Sequence, residues 1–146
     1  MSTLPRMWRD RVRATPTSEA FRHRADAQSW VSVTWRQADD RVRTLAAGLL
    51  ARGVQPGDRV AIWCRTRVEW VLLLQAIAAA GAVVTTIYPS SLASEARYIL
   101  DDAGCRWAFV ERTDHAEALG GWPGEVIGVD ALGELEDLGA RALDAD

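Results

Sequence analysis

Few side chains in this sequence are equipped for chemistry. The thiols are Cys64 and Cys105, and the bases that titrate near neutrality are His23 and His115. All seventeen basic side chains are arginine. Without lysine there is no ammonium to clamp a phosphate, form a Schiff base or act as a general base. The two cysteines lie far apart and show no CxxC spacing, so neither a disulfide framework nor a zinc site is indicated. Reduced thiols in a cytoplasmic protein are the expectation. Carboxylates occur in adjacent pairs at Asp39-Asp40 and Asp101-Asp102. Neighbouring residues on a helix point in different directions, so both pairs read as solvated faces and not as a proton-sharing dyad.

Phosphate-cradling motifs are missing as well. There is no GxGxxG, no GxxxxGK[ST] and no GxSxG, so neither a dinucleotide fingerprint, a P-loop nor a nucleophile elbow is present. A small flavodoxin-like binder of nucleotide or flavin therefore lacks the loop it would need. The net charge of -3 gives no global attraction to nucleic acid.

The elements that would position any site follow from the punctuation. Thr34 with Gln37 and Thr66 with Glu69 have the spacing of capping boxes. They predict helices over 35–52 and 67–80, stopped by Gly53 and Gly81. A third helix is expected over 92–103, capped by Ser91 and ended by Gly104. Apolar runs follow each glycine, at 59–63, 83–88 and 107–110, with a fourth at 125–129. Strands alternating with helices predict an α/β fold, with a mainly parallel sheet of βαβ units and flanking helices. Residues 20–24 and 30–34 flank a polar turn and predict an N-terminal β-hairpin. Ahead of it, Leu4, Met7, Trp8 and Val12 have the spacing of a buried helical stripe. The same arginine-rich opening could pass for an organellar presequence, but the helix is favoured. The chain divides into 1–34 (helix and hairpin), 35–130 (βαβ core) and 131–146, an acidic tail that is helical or loosely ordered. Between Trp70 and Tyr88 no residue is charged. Gln75, Gly81 and the small alanines argue for a core helix leading into a strand, not for a transmembrane segment.

The stretch TWRQADDRVRTLAAGLLARGVQPGDRVAIWCRTRVEW, followed by AIAAAGAVVTTIYPSSLASEARYILDDAGCRWAFVE, resembles the N-terminal region of adenylate-forming (AMP-binding) enzymes. The similarity is greatest to long-chain fatty acyl-CoA synthetases. Its carriers are Gly53, the Gly57-Asp58-Arg59 turn, Arg67 with Glu69 and Trp70, Gly81, and Tyr88-Pro89. Thr86 and Ser90 depart from the family, which often has proline and threonine there.

The resemblance implies part of the large N-terminal domain of a fatty acid–CoA ligase. Such an enzyme takes a fatty acid, ATP with magnesium, and coenzyme A. The family's Ser/Thr/Gly-rich phosphate loop ending in Pro-Lys-Gly, its aromatic-Gly-x-Thr-Glu segment and its C-terminal lysine have no counterpart here. The phosphate loop would begin beyond residue 146. No catalytic, cofactor-binding or metal residue is therefore carried over, and the chain alone is expected to be inactive. The matched positions are scaffold, with Tyr88 the nearest to a substrate crevice. The alternative is a standalone interaction or regulatory module derived from such an enzyme. As a fragment, the chain would associate with the rest of its domain or with itself.

Overall fold

The computed structural model describes residues 1–145. Helix α1 (Leu4–Ala14) leads into the hairpin β1 (Glu19–Arg24) and β2 (Trp30–Thr34), followed by helix α2 (Trp35–Ala51). Three crossovers follow: β3 (Arg59–Trp63), α3 (Val68–Ala79), β4 (Val83–Ile87), α4 (Ala93–Ala103), β5 (Trp107–Val110), α5 (Thr113–Ala118) and β6 (Glu125–Gly128). A 3-10 turn at Val129–Ala131 and helix α6 (Gly133–Asp144) complete the described chain.

The four-stranded sheet is parallel throughout, in the order β4-β3-β5-β6, while β1 and β2 pair antiparallel in a separate ribbon. Alternation along the strands divides two cores. Val60, Ile62 and Phe109 face α2 and α3, whereas Ala61, Trp63, Ala108 and Val110 face α4 and the α5 region. Strands with both faces covered read as continuous apolar runs, which is why no polar alternation marked them.

Local signals decide where the elements begin. The Thr34 box forms: Thr34 Oγ1 accepts from Gln37 N–H at 3.2 Å, and Gln37 Oε1 accepts from Thr34 N–H at 2.9 Å. The Thr66 box does not. The N-cap of α3 is Arg67, and the Glu69 carboxylate is taken by Arg67 Nε at 2.7 Å. A charge-assisted bond outcompetes the neutral cap. Ser91 is not the cap of α4 either. Leu92 occupies that position, and Glu95 in the first turn accepts Leu92 N–H at 2.8 Å. The fourth and second strands of the parallel set end slightly early: Tyr88 lies past β4 and Val129 past β6.

Helix α1 corrects the expected stripe. Trp8 is buried and Val12 half-buried, but Leu4 and Met7 are exposed. The helix leans on the body through one ridge. There Trp8 packs edge-on to Trp35, with ring centroids 5.2 Å apart, beside Phe21. Asp39, expected on a solvated face, is half-buried and accepts Trp8 Nε1–H at 2.8 Å.

The acidic tail is a helix. α6 crosses α2 where Gly48 and Gly139 meet. A Cβ on Gly139 would overlap the carbonyl oxygen of Thr44, and one on Gly48 that of Leu135. Arg41 and Glu136 pair across the crossing at 2.6 Å, and Leu132 and Leu135 enter the larger core. Among the described residues no helix is long and apolar enough to cross a membrane; α3 stops at Ala79, and Gly81 turns the chain into β4.

Candidate functional site

Parallel sheets bind ligands beyond the carboxyl ends of their strands, where the strand order reverses. Here β4 lies on one side of β3, and β5 and β6 lie on the other. The reversal therefore opens between Trp63, the last residue of β3, and Val110, the last of β5. The residues just past these ends are Cys64 to Arg67 and Glu111, and they form an ion-paired polar cluster.

Glu111 stands at its centre, its side chain 12% exposed. One carboxylate oxygen accepts Arg65 N–H at 3.0 Å; the other accepts Arg65 Nε at 2.8 Å and Arg67 Nη1 at 3.3 Å. Arg67 also reaches Glu69 at 2.7 Å and Asp130 at 2.8 Å. One guanidinium thus joins the loop after β3, the first turn of α3, the end of β5 and the turn after β6. Bonds from Glu69, first among the causes, push its pKa further up. Burial alone would raise the carboxyl pKa of Glu69 and Glu111. The bond from Arg67 to Glu69 and that from the Arg65 backbone to Glu111, together with further bonds and the charges of the neighbouring arginines, outweigh it and hold both low.

Beside this cluster the Cys64 thiol donates to Arg65 O at 3.1 Å. Burial and the Glu111 carboxylate push its pKa up to about 12. It stays protonated at neutral pH and is no nucleophile. On the opposite side of the strand ends, the His115 ring lies flat on Trp63, with centroids 3.7 Å apart and planes 5° from parallel. Burial lowers its pKa, and Arg112 adds to the effect, so the imidazole is neutral. Trp63 Nε1 donates to Tyr88 O at 3.0 Å and fixes the end of β4.

A groove of about 760 Å³ runs from this edge to the hairpin, walled by Arg22, Arg24, Arg65 and Arg67. Its arginines are engaged: Arg22 with Glu19, Arg65 and Arg67 with Glu111, and Arg24 over the Trp30 ring at 5.2 Å. No run of backbone N–H groups on a glycine-rich turn faces it, so the described residues do not fit an ATP phosphate chain. Among them, no group of three or more His, Cys, Asp and Glu is placed to hold a metal ion. The arrangement can hold a structure rigidly and present a crevice edge.

The sequence motif divides between the two ends of the sheet. Gly53, Gly57, Asp58, Arg59 and Gly81 gather at the amino end. Gly57 N–H donates to Gly81 O at 2.9 Å, and Asp58 O accepts Val83 N–H at 2.7 Å. Gly57 and Gly81 have φ of 88° and 78°, and a Cβ on Gly81 would press on Pro56 at 3.3 Å. Arg67, Glu69, Trp70, Tyr88 and Pro89 lie at the carboxyl end, where Tyr88 is 80% exposed. Cys64 completes that end together with Glu111 and Asp130, two carboxylates that were not singled out from sequence as site residues. The available signal was positional: each is the first or second residue beyond an apolar strand.

Comparison with known proteins follows the same outline. The family of AMP-binding enzymes matches residues 8–145. The long-chain-fatty-acid–CoA ligase FadD15 of Mycobacterium bovis is 38% identical over 115 residues, covering 79% of this chain and 19% of that protein. The mitochondrial medium-chain acyl-CoA ligase ACSF2 of Macaca fascicularis is 31% identical over 104 residues, 71% of this chain and 16% of that protein. The chain thus spans about a fifth of the length of these curated relatives. Among solved structures, the N-terminal domain of FACL13 from Mycobacterium tuberculosis superposes with a TM-score of 0.80 at 26% identity, covering 94% of this chain and 36% of that one. The fatty acyl-adenylate ligase from L. pneumophila, in complex with acyl adenylate and pyrophosphate, shares the fold with a TM-score of 0.77 at 20% identity. That match covers 94% of this chain and 25% of the other.

Proposed function

Since the chain belongs to the family of AMP-binding enzymes, we infer that it supplies the first layer of a cytoplasmic, ATP-dependent fatty acid–CoA ligase. In the whole enzyme a fatty acid carboxylate attacks the α-phosphate of ATP, pyrophosphate leaves, and the thiol of coenzyme A then displaces AMP from the acyl-adenylate. The observation that carries the reading is the 38% identity to a long-chain ligase across 115 residues. The family match over residues 8–145 includes both ends of the sheet.

The chain's own part in this reaction is positional. Arg67 and Glu111 lock the ends of β3, β5 and β6 together, and Trp63 holds the end of β4 through Tyr88 O. A rigid crevice edge keeps substrate-bearing loops within the tolerance that catalysis demands. Magnesium, ATP and coenzyme A would be held by parts of the enzyme outside this chain, because the strand ends described here carry neither a glycine-rich phosphate loop nor a lysine.

The test is a chimera in which this chain replaces the matching 115 residues of the FadD15 ligase. Fatty-acid-dependent pyrophosphate release is expected from the chimera and none from the chain alone. A folded chimera without activity would count against the ligase reading. Acyl-AMP formed by the isolated chain would overturn its scaffold role.

A further inference from the structure

The molecule has a second concave site, on its helical side. Helices α1, α2 and α3 enclose a cleft of about 640 Å³. Arg9 and Arg13 project to it from α1 and Arg43 from α2. None of the three has a carboxylate within salt-bridge distance among the described residues, in contrast to Arg65 and Arg67 at the strand ends. The cleft contains one carboxylate, Asp39, which is already bonded to the Trp8 indole. Three guanidiniums against one engaged carboxylate give the cleft a net attraction for an oxyanion.

A separate observation comes from α3. Gln75 lines the same cleft and is only 8% exposed; its Oε1 is turned away from solvent and has no hydrogen-bond partner. Nearly all buried polar atoms in folded proteins are paired, and an unpaired one is costly. Gln75 sits in a helix that is otherwise apolar from Val71 to Ala80. Leucine or methionine would fill the position without that cost.

The two observations constrain the ligand together. The arginines require acceptors, while Gln75 Oε1 requires a donor. A fully deprotonated anion such as sulfate meets the first requirement alone. A phosphate monoester meets both, through its P–OH or a neighbouring hydroxyl. We propose that the α1–α2–α3 cleft binds a phosphomonoester, its oxygens held by Arg9, Arg13 and Arg43 and its hydroxyl donating to Gln75 Oε1 once the amide turns to face the cleft. Trp8 and Val12 provide apolar surface for a short carbon skeleton.

The experiment titrates glycerol 3-phosphate, sulfate, and vesicles of phosphatidic acid or phosphatidylcholine into the chain at low ionic strength. Heat of binding is recorded together with the indole N–H resonance of Trp8, assigned through Trp8→Phe. Saturable binding of glycerol 3-phosphate is expected, about tenfold tighter than sulfate, as one charge-assisted site allows. The double variant Arg13→Gln/Arg43→Gln should weaken it at least tenfold. Gln75→Leu should abolish the preference over sulfate while leaving the fold intact by circular dichroism. Binding of the free ester identifies a soluble ligand. Binding of phosphatidic acid vesicles alone, lost in the double variant, identifies a lipid headgroup; both outcomes support the site. Equal binding of sulfate, or a preference unchanged by Gln75→Leu, would overturn the proposal, as would no binding of either phosphate source.

Discussion

Arg67 makes contact with three carboxylates drawn from three different segments, Glu69, Glu111 and Asp130. Its removal would leave Glu69 and Glu111 half-buried with fewer donors. Arg67→Met should therefore destabilise the chain by about 2 kcal/mol, the cost of stranding a partly buried charged group, read as a lower urea midpoint. Arg67→Lys should rescue little, because an ammonium cannot reproduce the fork that spans several acceptors. The same groups set an acid limit. Glu69 and Glu111 titrate below the ordinary carboxylate range when folded, and His115 below the ordinary imidazole value. Each depressed group contributes stability that is fully present above its unfolded pKa and lost as pH falls through its folded pKa. The urea midpoint should hold steady near neutrality, begin to fall below pH 6.5, and fall further below pH 4.5. His115→Phe, which keeps a ring on Trp63, should remove the first decline and leave the second. If the profile of His115→Phe matches the parent, the stacked imidazole is not the source. A related outcome concerns Cys64 and Cys105, both buried with raised pKa. Neither should react with a thiol reagent at neutral pH until denaturant opens the fold.

At the scale of elements, the crossing of α2 and α6 sets two effects against each other. Gly139→Ala would raise helix propensity by about 1 kcal/mol. It would also drive a methyl group into the Thr44 carbonyl, a backbone atom that cannot rotate away. Overpacking of this kind costs about 1–3 kcal/mol, so net destabilisation is expected, visible as a lower thermal midpoint. Gly133→Ala, where a Cβ meets nothing within 4 Å, is the control and should be neutral or stabilising. This crossing also marks the limit of what could be read from the chain. The βαβ core was legible because Gly53, Gly81 and Gly104 stop helices just ahead of apolar, β-branched or aromatic runs. α6 was not, since its few apolar residues are spaced among acidic ones and its close approach depends on a glycine in another helix. α5 was missed because six residues carry too little periodicity. The Thr66 cap failed where a charged partner intervened, Arg67 taking Glu69, while Thr34 kept the neutral Gln37; at Ser91 the cap position falls one residue later, on Leu92. The candidate site was half visible. Arg67 and Glu69 emerged from a motif, but Glu111 and Asp130 join them only through the strand order, which sequence periodicity does not encode.

For the whole molecule, the sheet ends on one side at β4, which pairs with β3 alone. Free edges invite further pairing unless charge, proline or a bulge blunts them. β4 has none of these within Val83–Ile87, and Val83 is 50% exposed. Tyr88 and Leu92, just beyond the strand, are exposed as well. The other edge differs: β6 begins with a charged residue, Glu125, whose carboxylate is paired with Arg52. The chain spans about a fifth of the length of the curated relatives it matches. In isolation it should self-associate, with sedimentation showing an apparent mass that rises with concentration. Val83→Lys/Tyr88→Lys places two charges along the edge without touching either core. It should hold the chain monomeric while leaving the urea midpoint within about 0.5 kcal/mol of the parent, as expected of surface substitutions. Association that persists in this variant would move the sticky surface to the exposed Leu4 and Met7 of α1. A parent chain that stays monomeric at every concentration would mean that β4 is protected by its own twist, and the edge would need no partner.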